Sequence, residues 1–296
     1  MASLKHIVSN LQQRNSKSHV AFLVFLLLFI FGLAIATRYY VLEPLKIVDS
    51  SMYPRHKESS ILWMCKLPQC IDKIKSNESV WAKLRNQETL VRKVIAMPGD
   101  SLSISDNGKV QTKDLHFKWT DENAFIQSRT IYIPQKGDTL YLDSLNDIEE
   151  DYALSLLQEQ GEKIFIKTTL WQGSHELSLE RVGATKLGNR QVSLQEINLL
   201  PWQDRYLIEL QIRQSEPGNH PIKLRRQFFR EADSTQITQF TIQEDCYYVA
   251  CERGAHCVDS RETGYITKNR LLGRHIKYPD KIKAFARTQI KKFFQP

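Results

Sequence analysis

The feature that most restricts this chain is "VAFLVFLLLFIFGLAIA", Val20–Ala36, a run with no charge and a single glycine. A segment apolar on every side has no face to offer to water, so it belongs in a core or in lipid. Its seventeen residues sit at the short end of a membrane span, and Thr37 together with Tyr39–Val41 extends it into the interface, giving an expected anchor over 20–37. Residues 1–19 carry Lys5, Arg14 and Lys17 and no acid, whereas between Arg38 and Ser60 four bases nearly cancel three acids. The positive-inside bias therefore keeps 1–19 in the cytoplasm and exports the remainder. Ala34-Ile35-Ala36 also has the form of a small-residue cleavage site, so a removed signal peptide is the competing reading.

Length allows about two domains, and 42% hydrophobic with 25% charged residues fits an ordinary folded protein. The net charge of +8 is concentrated at the end, where Lys268 onwards holds nine bases and the single acid Asp280. The basic stretches lack the pattern of a nucleic-acid reader, so no nucleic-acid partner is expected. Anionic lipid is the expected partner of the tail 279–296, where Ile282, Phe285, Ala286, Ile290 and Phe293 share one helical face. A helix covering the core with the same stripe fits equally. Five cysteines, Cys65, Cys70, Cys246, Cys251 and Cys257, permit disulfides in an exported domain and leave at least one thiol unpaired. Cys65–Cys70 and Cys251–Cys257 are the candidate pairs, with free thiols as the alternative. Neither the cysteine spacing nor the scattered histidines match a common zinc site, so no metal or other cofactor is expected.

Along the exported part, "LKIV" (45–48), "SILWMC" (60–65), "LVRKVIAM" (90–97) and "CYYVAC" (246–251) read as strands. "DNG" (106–108) joins two short strands, and "TIYIPQKGDTLYL" (130–142) reads as a further hairpin. Ser144–Gln160 reads as a helix with Ser144 as its cap. The alternation in "RYLIELQI" and "QFTI" suggests more sheet. The expected class is mainly β behind a single anchoring helix.

Three short stretches suggest chemistry. Ser51-Met52-Tyr53-Pro54 follows a strand near the membrane and resembles the nucleophile box of the bacterial type I signal peptidases. "RKVIAMPGD" (92–100) resembles that family's lysine box, and "DSRETGYITKNRLLGR" (259–274) its Asp-Ser-Arg box. The resemblance covers about 20–145 and 240–275. It implies a signal-peptidase-like β domain from 44–100 and 241–278, with an α+β insertion over 101–240. It also implies a serine endopeptidase that trims exported precursors carrying a cleavable apolar segment at the outer face of the cytoplasmic membrane. The cysteines after the first strand resemble the conjugative-transfer, pilin-maturing branch, which implies secretion or conjugation machinery as a further partner.

In that family a serine attacks the scissile carbonyl, a neutral buried lysine takes its proton, and the backbone N–H at the nucleophile holds the oxyanion. Ser51 would attack and Lys93 is the lysine nearest the base position, but Arg92 stands on that position itself. Arginine stays protonated and cannot act as a base. Strand neighbours face opposite ways, so only a one-residue bulge would bring Lys93 to Ser51. Asp49 stands where a serine or glycine is usual, Arg55 replaces a threonine, and Cys257 replaces a serine that orients the lysine. Glu252 retains an acid that Lys93 can pair with, and Asp259 with Arg261 form an expected local ion pair. His56 and His256 offer a Ser-His alternative. The competing function is an inactive relative that serves as a scaffold or precursor-binding component.

Overall fold

The computed structural model describes residues 22–105, 109–118, 128–215, 220–253 and 257–277. The expected cytoplasmic segment, the "DNG" turn, His256 and the amphipathic tail lie outside them. Helix α1 (Phe22–Tyr40) has no buried residue and, among the described residues, is long and apolar enough to cross a membrane. It continues past Arg38, beyond the expected end at residue 37.

After α1 the chain forms β1 (Leu42–Lys46), β2 (Ile61–Cys65), the short α2 (Pro68–Ile71), β3 (Ser79–Lys83) and β4 (Thr89–Ala96). It then makes β5 (Ser101–Ile104), β6 (Lys109–Gln111), β7 (His116–Lys118), β8 (Arg129–Tyr132), β9 (Thr139–Tyr141) and α3 (Asp147–Glu159). Next come β10 (Ile164–Gln172), β11 (His175–Leu177), β12 (Lys186–Leu187), β13 (Arg190–Gln191), α4 (Trp202–Ser215), β14 (Ile222–Arg230), β15 (Gln236–Ile237) and β16 (Gln239–Thr241). The return leg is β17 (Cys246–Ala250), α5 (Ser260–Thr263), β18 (Ile266–Thr267) and β19 (Leu271–His275).

The central sheet has the order β1-β2-β19-β3-β4-β17-β18. Strand β17 is buried along its whole length. Its Cys246, Tyr248 and Ala250 enter one core and its Tyr247 and Val249 the other, which is why "CYYVA" reads as an unbroken apolar run. A second sheet, β11-β10-β14-β15, packs on α4, and a third, β7-β6-β5-β8, follows β4. The boundary drawn at 100/101 falls inside one hydrophobic cluster, since Leu102, Ile104 and Ile131 pack with Ile95, Ala96 and Tyr248.

Helix α3 lies between two cores. Ile148, Tyr152 and Leu156 face the first and Ala153 with Leu157 face the second-sheet side, two stripes at helical spacing. Its cap is Asn146 rather than the expected Ser144. Asn146 Oδ1 accepts from the N–H groups of Ile148 (3.1 Å) and Glu149 (3.0 Å), and Glu149 closes a capping box, worth about 1 kcal/mol.

Two further expectations fail. "RYLIELQI" is helix α4, not strand: Trp202, Arg205, Ile208, Glu209 and Ile212 are its buried positions, a helical period hidden beneath local alternation. The expected 130–142 hairpin does not form, because β8 pairs with β5 and β9 with β16. Long-range partners outcompeted the turn.

Candidate functional site

Ser51 lies in the turn that follows β1, beside a cis Tyr53–Pro54 peptide. Asp49 Oδ1 accepts from both the Ser51 N–H (3.0 Å) and the Ser51 hydroxyl (2.6 Å). The Ser51 carbonyl accepts from the N–H groups of Glu252 and Arg253, both at 3.0 Å. Met52, buried beneath the turn, packs on Cys251 and Cys257. Four contacts of two residues thus fasten the first box to the loop after β17. The N–H expected to hold an oxyanion is instead engaged by Asp49.

Strand β4 delivers Arg92 and Lys93 in regular register with β3, Arg92 opposite Val80 and Lys93 opposite Ser79. The β4–β17 ladder does contain a bulge, but it falls between Tyr248 and Val249, where the partners step from Ala96 to Val94. That lies beyond the pair and does not exchange their faces. Arg92 Nη1 therefore reaches Ser51 Oγ at 3.2 Å. The same guanidinium donates to the Val91 carbonyl and, through Nε, to the Val258 carbonyl, each at 2.8 Å. Burial lowers Arg92 from its ordinary value, against the pull of the Asp259, Asp49 and Glu88 carboxylates, and it remains a donor.

Lys93, expected as the base, turns away from Ser51. Its Nζ pairs with Glu252 Oε2 at 2.9 Å, while Arg55 Nε binds the other Glu252 oxygen and Arg55 Nη1 donates to the Asn77 carbonyl at 2.9 Å. Burial alone would raise the Glu252 carboxyl, but the hydrogen bonds from Arg55 and Lys93 outweigh it and hold the group below its ordinary value. Burial pushes the Lys93 ammonium down against that same carboxylate.

Asp259 is fully buried. Its two oxygens accept from Arg261 Nε and Nη2, both at 2.9 Å, a forked pair, and Oδ2 also accepts from the Cys251 N–H at 3.1 Å. Cys251–Cys257 and Cys65–Cys70 are both disulfides, and Cys246 is a buried free thiol. Among the described residues Cys251, Cys257 and Asp259 gather with the spacing of metal ligands, but the sulfurs are bonded to each other and the carboxylate is held by Arg261. Gly264 is needed where it stands: its φ is +80°, and a Cβ there would lie 2.8 Å from Tyr152 Cδ1. His56 meets Ser79, not Ser51, with Nε2 and Oγ 2.7 Å apart.

Residues 20–166 match the family model described as "Signal peptidase, peptidase S26". The chain belongs to the signal peptidase S26 family. No curated protein matches it significantly. The matched span holds α1, the Ser51 turn and β4, and stops short of the third box; β17 and β19 nevertheless complete the same sheet. Membership in the signal peptidase family supports a signal-peptidase-like function on exported precursor proteins, and the apolar α1 fits a membrane-anchored member.

Asp49 and Arg55 are the residues whose contacts the sequence reading missed. Asp49, which stands where a serine or glycine is usual, accepts the hydrogen bond of the Ser51 hydroxyl. The Asp-x-Ser spacing, which favours a side-chain turn bond to the residue two places on, carried that signal. Arg55 displaces a threonine and supplies a second cation for Glu252, which no local pattern announces.

Proposed function

We propose that this chain is a membrane-tethered serine endopeptidase that trims exported precursors at the outer face of the cytoplasmic membrane, with Ser51 as nucleophile. The peptidase body comprises 44–100 and 241–278, and 101–240 is inserted in it. The observation that carries the reading is the convergence of two distant segments on the Ser51 turn: Arg92 joins the neighbouring Asp49 at its hydroxyl, and Glu252 and Arg253 meet its carbonyl. Exposed Val48 and Tyr53 flank the turn and offer apolar surface to a precursor segment. Pilin-type precursors of a conjugative-transfer system are the first substrates to try.

A second reading has its own support. Arg92 donates to Ser51 Oγ and Lys93 is held by Glu252, so the lysine-base arrangement is not assembled, which favours a precursor-binding scaffold. Cleavage in membranes by the wild type but not by Ser51→Ala supports the peptidase. An inert wild type whose Ser51→Ala variant still sustains precursor assembly supports the scaffold. External protease that removes the body from intact spheroplasts while sparing residues 1–19 supports the orientation.

A further inference from the structure

We infer that Asp49 is the proton acceptor of Ser51, and that Arg92 assists as a fixed cation, so that the site runs on a carboxylate base in place of a lysine. The inference rests on the peptidase reading above. Its ground is the geometry of one oxygen atom. Ser51 Oγ gives its hydrogen to Asp49 Oδ1 at 2.6 Å and receives one from Arg92 Nη1 at 3.2 Å, leaving a lone pair for attack. A base must lie within hydrogen-bond reach of the proton it takes, and Asp49 does. Arg92 is fixed by the Val91 and Val258 carbonyls, so its charge sits at the oxygen without reorganising, and a cation held there lowers the cost of the developing alkoxide. Lys93 is directed to Glu252.

The steps balance on these groups. Ser51 Oγ bonds to the scissile carbonyl carbon as its proton passes to Asp49 Oδ1 and the carbonyl π pair moves to oxygen. On collapse the C–N bond breaks, and the leaving amine takes the proton from Asp49. Water then attacks the ester and gives a proton to Asp49. The bond to Ser51 breaks, and Oγ recovers that proton as the new carboxyl group departs.

Asp49 also shapes the turn through the Ser51 N–H, so the test must separate the two roles. Asparagine does this, because its Oδ1 accepts the same N–H but takes up no proton. The full chain in lipid–detergent micelles would be given an exported precursor whose apolar segment ends in Ala-Xaa-Ala, and cleavage would be followed with pH for wild type, Ser51→Ala, Asp49→Asn and Asp49→Glu. The expected result is loss of roughly a hundredfold or more in Asp49→Asn, partial recovery in Asp49→Glu, and wild-type cleavage that persists near about pH 6, where an amine base is protonated. Wild-type cleavage that Ser51→Ala abolishes and Asp49→Asn leaves intact overturns the assignment of Asp49 while the peptidase stands. Cleavage that appears only on an alkaline limb does the same. A wild type that cleaves nothing overturns the peptidase reading, and this inference with it.

Discussion

A guanidinium and an ammonium carry one charge each, but only the ammonium releases its proton readily when buried. That difference gives the order Arg92-Lys93 its weight. The regular β3–β4 register fixes which of the two meets Ser51, and it is the one that cannot become a base. The sequence disclosed the two residues and their inverted order. It did not disclose which faced the serine, because a single bulge reverses the answer and its position depends on β17, some hundred and fifty residues away. His56 gives a prediction at this scale. Burial first, then the neighbouring charges of His275 and Arg55, lower it from 6.5 to about 4, with Glu252 opposing and Lys277 adding slightly. A group depressed in the folded state contributes stability that is complete above its unfolded value and is lost as pH falls through the folded one. The melting temperature should therefore decline as pH drops from about 6.5 to about 4, and His56→Gln should flatten that part of the curve.

Among the elements, α3 carries the heaviest electrostatic load. Glu150 Oε2 binds Arg205 Nη1 at 3.0 Å and Arg226 Nε at 3.2 Å, and Asp151 Oδ1 binds Arg205 Nη2 at 3.3 Å and also contacts Arg226. Both arginine side chains are 1% exposed, so α3, α4 and β14 are joined by buried charge. Removing one member strands the others, at a cost of about 3–5 kcal/mol. Arg205→Met should lower the unfolding free energy from denaturant titration by that order, while Arg190→Met, from an exposed pair, should leave it almost unchanged. None of this network was legible beforehand. Local alternation in "RYLIELQI" suggested strand, and the buried Arg205 and Glu209 that reveal the helical face look like surface residues until their partners are known. The strands β2, β4 and β17 were legible, because their apolar content leaves no other role.

For the whole molecule, the long apolar helix was readable from run length, the mainly β class from the short β-branched and apolar segments, and the three boxes from their order. How they meet was not readable, because the meeting depends on strand insertion. Strand β19 lies between β2 and β3, and β17 pairs with β4. A chain ending at residue 166, where the family match stops, keeps Ser51 and Arg92 but leaves β4 an open edge and β2 separated from β3. That truncation should be degraded within the time that the full chain resists limited proteolysis in membranes, with α1 still retained in the bilayer.

The same insertion sets a schedule. Arg253 reaches Ser50 Oγ across 203 residues of chain, and synthesis at about 5–20 residues per second spans that gap in roughly 10–40 s. During that interval the Ser51 turn has been made, yet the loop that grips its carbonyl has not. Ser51 is therefore among the first residues of the body to be synthesised and among the last to be framed. A half-grown chain holds the Ser51 turn without the carbonyl contacts from Glu252 and Arg253, and with β2 and β3 still unjoined until residues 271–275 insert between them.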